Sequence, residues 1–193
     1  GVVVMDDGFQ NPGLAKDRSA LVIDAAVGVG NGRVTPAGPL RAALAPQLAR
    51  ADAVILVGSG GRGDAVAAEA RKAGVPVLRA RLAPVAADGF AGMRVCLYAG
   101  IGRPEKVAAT LAEAGAEVVR LEAFPDHHPF SAADADRLLT LAETDRLTLV
   151  TTEKDLARLG GADGACGRLA AASRAIAVEL RFEDPEAVRA ILA

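Results

Sequence analysis

Two adjacent carboxylates close an apolar run near the start of the sequence, in Val2-Val3-Val4-Met5-Asp6-Asp7-Gly8-Phe9-Gln10. Carboxylates at the carboxyl end of a parallel strand face the crevice where ligands bind, and there they can hold Mg²⁺ directly or through water. The string has the form of a Walker B element. Gly8 lets the backbone turn away, and the Gln10 amide suits a water or a phosphate oxygen. The plainer reading is that Asp6 and Asp7 end a strand and cap the next segment. A second candidate is the glycine- and proline-rich stretch from Gly28 to Leu40, which leads to Arg41. A rigid, backbone-exposed loop that enters a helix can bind an anion, and the forked donors of Arg41 could clamp a phosphate; the alternative is an ordered surface connection. Gly58-Ser59-Gly60-Gly61-Arg62-Gly63 lacks the ending of a phosphate loop and reads as a connection.

Three further strings lie in the second half. Ala99-Gly100-Ile101-Gly102-Arg103 precedes Pro104 and offers amides to an anion, or forms a tight β-α turn. Phe124-Pro125-Asp126-His127-His128-Pro129-Phe130 holds both histidines of the chain. Adjacent side chains of an extended segment point opposite ways, so one histidine can face a crevice while the other packs or caps. With no third His or Cys ligand nearby, acid/base or positioning chemistry suits them better than a metal site. In Val150-Thr151-Thr152-Glu153-Lys154-Asp155 the threonines and acids explain themselves as a helix start. Lys154 is the surplus, able to reach an anionic ligand or to sit on the surface.

Positioning such residues requires strands that end where the strings begin. Short Val, Ile and Leu runs alternate with Ala-rich segments of helical spacing, the pattern of β-α units on a parallel sheet. The pattern predicts strands at residues 2–5, 20–23, 53–57, 75–78, 94–98, 117–121, 147–150 and 176–180. Helices are predicted at 40–50, 64–73, 104–114, 132–144, 153–159 and 185–191, with a Pro104 start, a Gly115 stop and a Ser131/Asp134 capping box. The rhythm breaks at 79–93, which reads as a hairpin linker. The expected division is therefore a nucleotide-binding half at 1–78 and a carboxy-terminal α/β lobe at 94–193.

Composition narrows the class. With 51% hydrophobic and 24% charged residues the chain is neither disordered nor fibrous. A net charge of −2 does not announce a nucleic-acid surface, and no nucleic-acid partner is expected. Cys96 and Cys166 stand far apart with no C-x-x-C, so neither a disulfide framework nor a cysteine zinc site is suggested. No apolar run approaches the roughly 18 residues of a membrane span. Because Gly1 passes directly into a buried-type run without a preceding turn, the sequence reads as part of a longer protein.

In order and spacing, these strings together resemble the tetraacyldisaccharide 4'-kinases of lipid A synthesis. The resemblance rests on Asp6-Asp7-Gly8-Phe9-Gln10, Gly30-Asn31-Gly32 with Pro36-Ala37-Gly38-Pro39-Leu40-Arg41, Ala99-Gly100-Ile101-Gly102, Phe124-Pro125-Asp126-His127-His128 and Thr152-Glu153-Lys154-Asp155. It implies a P-loop-kinase-like α/β fold without its amino-terminal strands, together with a second, smaller α/β lobe. The implied activity is transfer of the ATP γ-phosphate to the 4'-hydroxyl of a tetraacylated glucosamine disaccharide 1-phosphate, giving lipid IVA at the cytoplasmic face of the inner membrane. It also implies that Asp6 and Asp7 serve Mg²⁺, that His127 and Asp7 act in catalysis, and that Gln10, Arg41 and Lys154 contact the nucleotide. His127 would orient or deprotonate the 4'-hydroxyl, with an acidic partner upstream. Two departures stand out. The family's Walker A loop and membrane-associating segment lie upstream of the Asp-Asp-Gly-Phe-Gln motif, and the 193 residues contain no G-x-x-x-x-G-K-[ST]. Ala42 stands where the family usually has Glu near the metal. The chain alone is accordingly expected to be soluble and inactive. The competing reading is a non-catalytic module for an anionic glycolipid or a partner; a doubly wound oxidoreductase is disfavoured because no G-x-G-x-x-G follows the first strand.

Overall fold

The computed structural model describes residues 3–85 and 89–192. In chain order the first elements are β1 (Ala20–Asp24), α1 (Leu44–Leu48), β2 (Ala53–Val57), α2 (Gly61–Lys72) and β3 (Val77–Pro84). Then come β4 (Arg94–Ala99), α3 (Pro104–Glu113), β5 (Glu117–Ala123), α4 (Ala132–Asp145) and β6 (Thr148–Thr152). The chain closes with α5 (Glu153–Leu159), α6 (Gly164–Ala172), β7 (Ser173–Ile176), β8 (Val178–Phe182) and α7 (Pro185–Leu192). Two compact units result. One comprises Gly1–Leu82 with Leu180–Ala193, and the other Ala83–Glu179. Residues from 180 onward thus return to the first unit, whereas the linear reading assigned them to the carboxy-terminal lobe.

In the first unit the sheet runs β1-β2-β3-β8, with β1, β2 and β3 parallel. Val54 and Leu56 of β2 are fully buried and pack with Val66, Ala67 and Ala70 of α2. Gly63 lets α2 approach closely, since a Cβ there would lie 2.7 Å from Ala25 Cα. In the second unit the sheet runs β5-β4-β6-β7, with β4–β5, β4–β6 and β6–β7 all paired in parallel. Strand β4 shows why a parallel strand reads as a continuous apolar run. Its Cys96 and Tyr98 pack with Leu138 and Leu169, while the alternate Val95 and Leu97 pack with Leu111 and Val150. Both faces are covered by helices, so the alternation has no polar side. Each fully buried leucine, such as Leu111 or Leu138, contributes about 2 kcal/mol of transfer free energy.

The structure departs from the sequence expectations in five places. Residues 3–5 form no strand, and Val3 and Val4 are 95% and 88% exposed; Gly1 and Val2 lie outside the described residues. An apolar run becomes a strand only where a neighbour supplies the hydrogen-bond ladder, and none of the described residues pairs with it. Helix 40–50 shrinks to α1 because Pro46, lacking an N–H and clashing one turn back, is tolerated only in a first turn. The hairpin at 79–93 is replaced by β3, which pairs with parallel β2 as far as Ala80 and continues through Pro84; residues 86–88 lie outside the described residues. The strand at 176–180 is split at Ala177 into β7 and β8, which join different sheets. Helix α6 was hidden by Gly164 and Gly167, two poor helix formers, although a Cβ at residue 167 would meet Ala162 O at 2.5 Å.

Candidate active site

In the second unit the chain leaves β4 toward β5 on one side and later reaches β6 on the other, so the strand order reverses between β4 and β6. Loops at the carboxyl ends of such strands diverge and leave a crevice. The loops that follow β4 and β5 carry Gly100 and His127, and α5, which follows β6 without a break, carries Asp155 in its first turn.

Gly100 is the meeting point. Its N–H donates to Asp155 Oδ2 (3.1 Å), and its carbonyl accepts from the His127 N–H (3.0 Å) and from Arg158 Nη1 (3.0 Å). A side chain would be crowded there, because a Cβ would lie 3.2 Å from His128 Cβ and 3.3 Å from Asp155 Oδ1. Asp155 is fully buried. Its carboxylate also accepts from Thr152 Oγ1 (2.8 Å) and forms an ion pair with Arg158 Nη1 (2.6 Å). Thr152 in turn caps α5 by accepting from the Asp155 N–H (3.1 Å). A buried charge needs such complete pairing, since an isolated carboxylate inside a protein costs many kcal/mol.

The two histidines take different surroundings. His127 has a left-handed backbone (φ 60°), and its side chain is 79% exposed. Its Nδ1 lies 2.9 Å from Arg158 Nη2. A guanidinium has donors only, so Nδ1 is the acceptor and the imidazole proton resides on Nε2. That Nε2 is 3.8 Å from Asp126 Oδ2, beyond hydrogen-bond reach. His128 is tucked in. It stacks on Phe124 with centroids 4.7 Å apart and places Nε2 3.1 Å from Asp134 Oδ2. Asp134 completes the capping box with Ser131 at the start of α4. The Ser131 hydroxyl and N–H, with His128, hold the Asp134 carboxyl down at about 2. Lys154 is exposed on α5 and has no partner among the described residues.

In the first unit, Arg41 Nη1 and Nη2 grip both oxygens of Asp7 (3.0 and 2.8 Å). Arg41, expected in the first turn of a helix, lies ahead of α1, and its fork is spent on Asp7 rather than left open. Gln10 Nε2 donates to Gln47 Oε1 (2.7 Å), and Gln47 Nε2 donates to the Ala42 carbonyl (2.7 Å). The glycine-rich loop is internally tied: Asn31 Nδ2 donates to Ala37 O (2.8 Å), and the Arg33 N–H donates to Asn31 Oδ1 (3.1 Å). Asp6 is exposed and has no partner among the described residues. As a Mg²⁺ site the pair is half prepared. Asp6 offers unengaged oxygens, which suits an ion that takes one or two carboxylates plus phosphates and water. Both oxygens of Asp7 face a guanidinium. Among the described residues no three His, Cys, Asp or Glu side chains gather as a metal cage.

The sequence strings therefore gather as two groups: Asp7, Arg41 and Gln10 in the first unit, and Gly100, His127 and Asp155 in the second. Sequence reading missed Arg158 altogether and took Asp155 only as a dipole complement. The available signal was the acid-base spacing of three residues on α5, which puts Arg158 one turn from Asp155.

The family model for tetraacyldisaccharide-1-P 4'-kinase matches residues 1–193. A tetraacyldisaccharide 4'-kinase from a Bradyrhizobium species is 53% identical over 196 aligned residues, covering 100% of this chain and 56% of that protein. The Nitrobacter hamburgensis protein of the same name is 53% identical over 99% of this chain and 57% of its own length. The chain thus spans little more than half of these curated relatives. Among solved structures, the "apo" form of LpxK from Aquifex aeolicus in complex with ATP matches with a TM-score of 0.58 at 21% identity, covering 96% of this chain and 55% of that one; this likeness supports the α/β fold. A match along the whole length, at half-identity to several relatives, means that this chain belongs to the tetraacyldisaccharide 4'-kinase family.

Proposed function

We propose that the protein carrying this chain transfers the γ-phosphate of ATP to the 4'-hydroxyl of a tetraacylated glucosamine disaccharide 1-phosphate, the step that yields lipid IVA at the cytoplasmic face of the inner membrane. The observation that carries the reading is the convergence of the Gly100 peptide, His127 and the Asp155–Arg158 pair at the carboxyl end of a parallel sheet, in a chain of this family.

Each unit has its own part. In the first, Asp6 is the available ligand for Mg²⁺, and Asp7 joins it once Arg41 turns from its carboxylate to a phosphate, which is the better partner for a bidentate fork. Mg²⁺ held by Asp6 and Asp7 would supply charge neutralisation to the phosphate groups. Gln10 supplies a further donor to a nucleotide oxygen, and Lys154, which belongs to the second unit, is an exposed cation for an anionic group. In the second unit, His127 presents Nε2–H outward, so orienting an oxygen of the reacting centre suits it better than removing a proton while Arg158 holds Nδ1. Membrane association belongs to a segment outside these residues; no described helix is long and apolar enough to cross a membrane.

The test is phosphate transfer from labelled ATP to the acylated disaccharide by the full-length protein. Loss of about 100-fold in kcat for His127→Ala, with ATP binding retained, supports the reading. Turnover at the parent rate would remove His127 from the site, and no transfer by a folded full-length parent would favour the non-catalytic glycolipid-binding alternative. The 193-residue chain itself, which lacks a G-x-x-x-x-G-K-[ST] loop, should show no micromolar ATP binding by calorimetry.

A further inference from the structure

We propose that Arg158, seated on the buried carboxylate of Asp155, is the positioning residue of His127: it holds the ring by Nδ1 and so turns Nε2–H outward as a fixed donor. The catalytic consequence rests on the kinase reading above, whereas the contact itself rests on the geometry of the second unit alone.

The argument begins with how little else holds His127. Its side chain is 79% exposed, and its nearest carboxylate, on Asp126, is 3.8 Å from Nε2. Its ring forms none of the aromatic contacts that fix His128. An exposed imidazole on a left-handed residue has several rotamers open to it, and one well-aimed hydrogen bond selects among them. Arg158 Nη2 makes that bond at 2.9 Å.

Arg158 is itself anchored on rigid groups. Nη1 bonds Asp155 Oδ1 at 2.6 Å and Gly100 O at 3.0 Å, leaving Nη2 for the histidine. Asp155 is wholly buried and tied to the Gly100 N–H and to Thr152, so the guanidinium stands on a base fixed by β4, β6 and α5. The relay Asp155–Arg158–His127 therefore carries the order of the core to an exposed ring. It also fixes the tautomer. Because a guanidinium donates and never accepts, Nδ1 keeps its lone pair toward Arg158 and the neutral ring carries its proton on Nε2. Lysine cannot replace this arrangement, since one ammonium has no planar fork to span Asp155, the Gly100 carbonyl and His127 together.

Two measurements test the inference. In the ¹⁵N-labelled chain, long-range proton–nitrogen correlation should show His127 Nε2 protonated and Nδ1 displaced by an accepted hydrogen bond. Arg158→Lys, which leaves a cation for Asp155 and so preserves folding, should move the Nδ1 signal to that of an unbonded imidazole nitrogen. In the full-length protein, Arg158→Lys should lower kcat about 10–100-fold at unchanged KM for ATP, as removal of an outer partner of a functional histidine does. In a His127→Ala background the same substitution should cost less than about 2-fold, because the two residues act as one unit. An unmoved Nδ1 signal overturns the contact. An equal loss in both backgrounds overturns the relay. If His127→Ala alone leaves kcat unchanged, the catalytic role of His127 falls and takes the kinetic half of this inference with it, while the nitrogen spectrum still decides the contact.

Discussion

Replacing Asp155 with alanine should unfold the second unit at markedly lower denaturant. The carboxylate is fully buried, pairs with Arg158 at 2.6 Å, and accepts from the Gly100 N–H and from Thr152 Oγ1. Removing it strands a guanidinium and leaves the Gly100 N–H without its partner. Breaking a buried ion pair from one side costs about 3–5 kcal/mol. The Arg158 side chain is 26% exposed and can recover part of its hydration, which favours the lower end, about 3 kcal/mol. An independent tally agrees: an unpaired buried amide costs about 1–3 kcal/mol, and one lost hydrogen bond to a charged group about 1.5–3 kcal/mol. For a unit of this size a loss of about 3 kcal/mol lowers the melting midpoint by roughly 12–24 °C. The assay is built into the sequence, for the chain has one tyrosine and no tryptophan. That residue, Tyr98, lies buried in β4, so its fluorescence reports the second unit during urea unfolding. Asp155→Asn should recover only part of the loss, because its amide must turn a donor toward Arg158 or toward the Gly100 N–H and Thr152 hydroxyl. A midpoint for Asp155→Ala that corresponds to less than about 1 kcal/mol would refute the claim that this carboxylate ties α5 to the end of β6 and to the loop after β4.

Other outcomes follow from the same geometry. Gly63→Ala should destabilise the first unit by about 1–3 kcal/mol in a circular-dichroism melt, since its Cβ would press on the Ala25 backbone at 2.7 Å. Asp134, held down at about 2 by Ser131 and His128, stabilises the folded state above the ordinary carboxyl value of 3.8; that contribution is lost as pH falls from about 4 toward 2, and Asp134→Asn should flatten this part of a stability-against-pH curve. Cys166, half-buried, should react with a thiol reagent in the native chain well before Cys96, whose thiol burial pushes up to about 11; mass mapping of the first-labelled peptide checks the order. Arg41→Ala should leave Asp7 without its clamp and, in the full-length protein, weaken ATP binding measured by calorimetry about 10-fold, the loss of one bidentate phosphate contact.

Much of this molecule is a local consequence of its residues. Apolar runs such as Ala53–Val57 and Arg94–Ala99 form the buried parallel strands their composition predicts, and Ser131 with Asp134 forms the capping box that starts α4. The order of the strings around Asp6, Arg41, His127 and Asp155 was sufficient to suggest the family that the whole-chain match identifies. Pairing was not local. Nothing in Val3-Val4-Met5 reveals whether another strand will lie beside it, and nothing in residues 176–180 reveals that Ala177 separates two sheets. The same holds for the candidate site. His127 and His128 are neighbours of one type in one string, yet one is exposed on Arg158 and the other is packed on Phe124. The amino-acid string specified which groups with useful chemistry the chain would carry and which strand ends would present them. Only the tertiary structure decided which groups touch, because a hydrogen bond between residues 31 positions apart, such as Arg158 to His127, depends on the register of β4, β5 and β6 and has no counterpart in local spacing.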